Sequence, residues 1–146
     1  MSRNAADAEV FVYTGDGGDA VPDDVIRVRV DHSVTSIPSY AFWAHNKLTD
    51  VELCEGLVEI GEYSFSWCYH SMKINTPNSL RRINDWAFYH SLQCHICLND
   101  GIESIGASAF ADCIFTNFRV PPLITEIPST SYQIVNPCFL SNFPRK

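Results

Sequence analysis

Ile60-Gly-Glu-Tyr-Ser-Phe65 has four relatives elsewhere in the chain: Ile37-Pro-Ser-Tyr-Ala-Phe42, Ile83-Asn-Asp-Trp-Ala-Phe88, Ile105-Gly-Ala-Ser-Ala-Phe110 and Ile127-Pro-Ser-Thr-Ser-Tyr132. Consecutive isoleucines stand 23, 23, 22 and 22 residues apart. A fixed period of this length marks a stacked-repeat architecture. The columns upstream agree. Nine residues before each isoleucine come Val28, Val51, Ile74, Ile96 and Phe118; seven before, Val30, Leu53, Thr76, Leu98 and Val120; three before, Val34, Leu57, Leu80, Ile102 and Ile124. Thr76 is the one polar interruption.

Apolar and polar columns alternate over the upstream stretch, which is the period-2 pattern of a strand with one buried face. Strands are therefore expected at about residues 26–30, 49–53, 72–76, 94–98 and 116–120. After the isoleucine a small residue and then the aromatic follow. Residue +8 (His45, Cys68, Ser91, Cys113) lies three beyond the ring and reads as sharing its face on a short helical turn. The column just after the isoleucine holds Pro38, Gly61, Asn84, Gly106 and Pro128. Proline locks φ near −65°, so a shared left-handed conformation is excluded there and a tight corner is expected instead. One such repeat cannot bury its own apolar side. Five coils stacked in register, the last incomplete, would form a parallel sheet with Phe42, Phe65, Phe88 and Phe110 as an internal ladder.

The motif Ile-Gly-x-x-Ala-Phe-x-x-Cys, clearest at Ile60–Cys68 and Ile105–Cys113 and preceded by Ile74-Asn-Thr-Pro-Asn-Ser-Leu80, resembles the BspA-like class of leucine-rich repeats over about residues 25–132. The resemblance implies a curved right-handed solenoid used for binding, without intrinsic catalysis. Tyr132 replaces the phenylalanine in the last repeat, and residues 133–146 fit no column.

Three regions follow: an acidic segment 1–24, the repeats 25–132 and a non-repeat tail 133–146. In the first, Val10–Tyr13 reads as a strand capping the first repeat. The acids Asp16, Asp19, Asp23 and Asp24 lack the alternating oxygens and distal Glu of a calcium loop, so a solvated loop is expected. The tail either folds over the last coil or marks a piece of a longer array, the second being the preferred reading. The start of the chain lacks the apolar stretch of a secretory signal peptide, so a cytoplasmic setting is expected. No run of residues is apolar enough to span a bilayer.

A net charge of −7 argues against nucleic acid as a partner. Cys94-His-Ile-Cys97 resembles half a zinc site, yet strand alternation sends Cys94 inward and Cys97 outward. No second Cys-x-x-Cys, phosphate loop or Gly-x-Ser-x-Gly is present, and His95 beside Cys97 is read as no dyad. No enzyme, metal, cofactor or small-molecule substrate is therefore expected.

Outward strand positions of the early repeats alternate in sign: Arg27, Asp50 and Lys73 in one column, Arg29 and Glu52 in another; Glu59–Arg82 and Arg81–Glu103 do so at the corners. These read as ion pairs that fix register. The later repeats leave Asn75, His95, Asn117 and Arg119 without such partners, and a protein partner is expected there, with Arg119 as its anchor. Tyr40, Tyr63 and Trp86 share a column with Trp67 nearby, a rim that suits binding and inter-coil packing equally. The reading as a whole is a protein-interaction or scaffolding module. Its rival is an adhesive ectodomain binding glycans or a cell surface.

Overall fold

The computed structural model describes residues 8–15, 20–91, 94–115, 119–126 and 128. Apolar–polar alternation yields a parallel sheet built from one strand per coil: β1 (Val10–Tyr13), β2 (Arg27–Val30), β4 (Asp50–Glu52), β6 (Met72–Asn75) and β8 (Cys94–Cys97). The register matches the columns of the sequence, with Val28 beside Val51, Val51 beside Ile74 and Ile74 beside Ile96. Along β6 and β8 burial strictly alternates, inward at Met72, Ile74, Cys94 and Ile96. The expected strand at 116–120 falls mostly outside the described residues.

A second sheet runs through the isoleucines. β3 (Ser36–Ile37), β5 (Glu59–Ile60), β7 (Arg82–Ile83) and β9 (Ser104–Ile105) pair in that order, all parallel. Two residues per coil are too few for alternation to reveal, so this ladder read only as a corner. The residues after the isoleucines keep negative φ, as proline in the column demanded: only Gly15 and Gly56 among the described glycines are left-handed. Gly61 and Gly106 serve close approach instead. A Cβ on Gly61 would stand 2.4 Å from the Ile37 carbonyl, and one on Gly106 would stand 2.4 Å from the Asp85 backbone nitrogen.

The expected helical turn is not what forms; no helix is present among the described residues. A helix directs each N–H to a carbonyl four residues back in its own segment. Here alternate N–H groups leave the coil. Tyr40, Phe42 and Ala44 donate to the carbonyls of Glu62, Ser64 and Ser66 at 3.0, 2.8 and 2.9 Å. Trp86, Phe88 and His90 do the same to Ala107, Ala109 and Ala111 at 3.0, 2.8 and 2.9 Å. The N–H groups between them close four-residue turns, as from Trp43 to Tyr40 at 3.1 Å. Such alternation requires a left-handed residue every fourth position: Tyr40, Tyr63, Trp86 and Ser108 at φ 63°, 54°, 58° and 53°, then Ala44, Trp67, His90 and Asp112 at 59°, 62°, 56° and 57°.

This ladder holds the aromatic core. Phe42, Phe65, Phe88 and Phe110 are fully buried, with ring centroids 5.0, 5.2 and 5.3 Å apart and planes within 10° of parallel. Carbon atoms in contact sit about 3.5–4.0 Å apart, so rings at this centroid spacing are slipped rather than eclipsed, the favoured geometry. Tyr13 meets Phe42 edge-on at 62°, and Phe115 meets Phe110 at 76°. Tyr13 comes from β1, which pairs with β2 from Val10↔Arg27 to Tyr13↔Val30.

The +8 column has a more specific chemistry than small size. Cys68 Sγ donates to the Phe42 carbonyl (3.3 Å), Ser91 Oγ to Phe65 (2.6 Å) and Cys113 Sγ to Phe88 (2.9 Å). Each side chain satisfies a buried carbonyl of the coil before it. Burial pushes the Cys68 and Cys113 thiols up to about 12. Thr76, the polar interruption, sits half-buried at a corner, where its hydroxyl donates to the Cys97 carbonyl and accepts the Asn99 N–H, at 3.0 and 2.8 Å.

Phe88 has stacked rings on both sides, so Phe88→Ala should lower stability by about 3–5 kcal/mol; a urea melt showing less than about 1 kcal/mol would contradict the ladder. A left-handed alanine costs about 1–2 kcal/mol in strain, so Ala44→Gly should raise the urea midpoint slightly, and a clear loss would place Ala44 elsewhere in φ. Raised thiol pKa values stabilise the fold fully below the unfolded-state value of about 8.5, and that stability is lost as pH rises through the folded values. The urea midpoint should therefore fall on going from about pH 7.5 to about pH 10, and fall less in a Cys68→Ser/Cys113→Ser variant, whose hydroxyls keep the hydrogen bonds.

Candidate interaction surfaces

The strand face carries the charges that the columns placed there. Arg27 meets Asp50 at 3.3 Å and Arg29 meets Glu52 at 2.9 Å. At the corners, Arg82 meets Glu59 at 3.0 Å and Arg81 meets Glu103 at 3.8 Å. Asn84 and Arg82 together hold the Glu59 carboxyl below the ordinary range. Exposed pairs of this kind contribute about 0.2–1 kcal/mol each and act on register more than on stability. Lys73 stands beside Asp50 in register, but the Asp50 carboxylate is turned to Arg27.

Beyond these pairs the face changes character. Asn75 and Cys97 are in register, as are Lys73 and His95, and all four are exposed. None of the four side chains has a hydrogen bond or ion pair among the described residues. A shallow depression of about 260 Å³ lies against Lys73 and Asn75, with Arg27, Asp50 and Glu52 lining the rest of it. Asn117 lies outside the described residues. Arg119 is exposed as expected, but it is not unpaired: its guanidinium contacts the Asp100 carboxylate. Asp100 comes from the loop after β8, a different column, so column-by-column comparison could not find it.

His95 and Cys97, two positions apart on β8, project from the same face. At ~3.3 Å rise per residue their side chains stand about 6–7 Å apart, beyond the 2.6–3.2 Å reach of a nucleophile and its base. Cys94 points into the core and Cys97 outward, so this pair does not converge on one ion, and no group of three possible metal ligands occurs among the described residues.

The turn side presents the aromatics. Tyr40 stacks on Tyr63 at 5.1 Å and Tyr63 on Trp86 at 5.8 Å, with planes within 8°. The column is thus inter-coil packing with its edges left at the surface. Trp67, Tyr69 and Tyr89 surround the His90 ring, at 4.5, 5.7 and 5.7 Å, and Asp112 approaches it at 3.6 Å. Trp43, about half exposed, has no ring neighbour among the described residues. Sequence reasoning singled out Tyr40, Tyr63, Trp67 and Trp86 and missed Trp43, Tyr69 and His90, whose columns mix rings with small or polar residues.

No helix among the described residues is long and apolar enough to cross a membrane. The family profile described as "BspA type Leucine rich repeat region (6 copies)" matches residues 24–137. No curated protein and no solved structure matches the chain. Leucine-rich repeats of this kind are interaction or recognition modules and generally not enzymes. With its period, its paired parallel sheets and its phenylalanine ladder, the chain belongs to the BspA-type leucine-rich repeat family.

Proposed function

We propose that this chain is a non-catalytic protein-interaction module of a scaffolding kind, and that its partner docks on the strand face around Asn75, His95 and Arg119, with Asn117 joining them by its place in the repeat. The observation that carries this is the change along the sheet. On β2 and β4 the outward side chains bind one another, while on β6 and β8 Lys73, Asn75, His95 and Cys97 have no such engagement, and Lys73 and Asn75 border a depression. Polar groups without internal partners are re-bonded by a ligand at lower cost than an ion pair is broken. The Arg119–Asp100 pair does not remove Arg119 from the site, because both side chains are about two-thirds exposed and such a pair is weak. An exposed Cys97 thiol fits a reducing compartment, which makes an intracellular setting part of this reading. The alternative, an adhesive ectodomain, draws on the exposed rings of the turn side.

Immobilised wild-type protein and an Arg29→Glu variant should recover the same partner from native cell extract, whereas Asn75→Glu and His95→Glu should not. Recovery lost with Arg29→Glu and kept with the other two would move the site to the opposite end of the sheet.

A further inference from the structure

The four turn segments, 38–46, 61–71, 84–91 and 106–114, contain no lysine or arginine. They hold all three tryptophans, four of the six tyrosines, and the acids Glu62, Asp85 and Asp112. Lys47 closes the first of these turns, and the other positive charges of the repeats sit elsewhere: Arg27, Arg29 and Lys73 on the strand face, Arg81 and Arg82 at the corners, and Arg119 against Asp100. The turn side is therefore an aromatic ridge whose formal charges beyond Lys47 are all negative.

Its aromatic faces are not equally available. Stacking closes both faces of Tyr63, since Tyr40 lies on one and Trp86 on the other. Tyr40 begins that stack and is 56% exposed, and Trp43 beside it is 50% exposed. Glu62 lies one residue before Tyr63, exposed and without a side-chain partner among the described residues. Asp85, also exposed, takes the Ala107 N–H on one oxygen at 2.8 Å. Free ring faces at one end and carboxylates along the flank suit a planar cation.

We propose that the turn ridge docks an arginine-rich segment of a partner protein, one guanidinium lying over Tyr40 or Trp43 and others meeting Glu62 and Asp85. Arginine fits better than lysine because its flat, weakly hydrated head stacks on rings while still bonding carboxylates. Charge complementarity carries the choice of occupant. A nucleic acid would bring phosphates to a surface where Glu62, Asp85 and Asp112 outnumber the single cation, Lys47, at its edge. A glycan needs a run of open ring faces, and the stack closes those of Tyr63. This surface is separate from the strand face and does not depend on the docking site placed there.

The test uses the full chain and fluorescently labelled, acetylated hexa-arginine, read by anisotropy at physiological salt, with hexa-lysine and a neutral oligosaccharide as comparators. Hexa-arginine should bind more tightly than hexa-lysine. Trp43→Ala should weaken it roughly threefold to fivefold, as expected for loss of one exposed cation–π contact. Glu62→Gln and Asp85→Asn should weaken it as well. Glu52→Gln, which removes negative charge on the strand face, should not, and neither should His95→Glu on that face, so this reading and the strand-face reading fail separately. All of these positions are exposed, and near-ultraviolet circular dichroism checks that each variant keeps its packed rings. Three results would overturn the proposal: no binding of hexa-arginine, loss caused by Glu52→Gln while Trp43→Ala binds normally, or a tryptophan-fluorescence response to the neutral oligosaccharide alone that Trp43→Ala removes.

Discussion

Each coil is held to the next by backbone hydrogen bonds on every side, and this forces every residue to lie against its own counterpart one repeat away. Two parallel ladders do so at the strands, and the amides of Tyr40, Phe42 and Ala44 with their equivalents do so across the turns. Once that offset is imposed, column composition follows from what tolerates self-contact. Phenylalanine stacks on phenylalanine. Like charges would repel, so Arg29 meets Glu52 and Glu59 meets Arg82. Where backbones crowd, Gly61 and Gly106 alternate with bulkier residues. A buried carbonyl recurs at each ring, and a thiol or hydroxyl recurs to bond it.

The same rule explains which parts could be read from the chain without coordinates. Val28, Val51, Ile74 and Ile96 announced the main sheet because burial on one face repeats both along the strand and between coils. Cys94 inward and Cys97 outward followed from that alternation. The turn conformation was hidden. Left-handed residues are ordinarily signalled by glycine or asparagine, yet here the positions hold Tyr40, Tyr63, Trp86, Ala44, Trp67 and His90. The inter-coil bonds impose that backbone, and no local preference advertises it. Spacing of three from Phe65 to Cys68 therefore looked helical, although both side chains are buried for another reason.

The surfaces were legible to the extent that they obey the columns. Arg27–Asp50 and Arg81–Glu103 were readable as pairs; Arg119–Asp100 was not, because its members occupy unrelated positions in their repeats. Trp43 was hidden for the converse reason, its column holding Ser66 and Ala111 with only Tyr89 aromatic. Departures from a column are where a repeat protein stops describing its own packing. The strand face beyond β4 and the open end of the Tyr40–Tyr63–Trp86 stack are both such departures.

The tertiary bonds also have a nearly uniform reach: Ser91 to Phe65 spans 26 residues, Arg82 to Glu59 spans 23, Ser79 to Leu57 spans 22. Loop-closure entropy depends only logarithmically on length, so each added coil meets nearly the same entropic cost as the one before. The first coil laid down has no neighbour and recovers nothing, whereas every later one finds a template already in place. Order should thus spread outward from any adjacent pair, in the manner of a zipper with a costly first tooth. Damage in the middle, at Phe65 or Phe88, divides that zipper into two short lengths, while equal damage at Tyr13 or Phe115 merely shortens it.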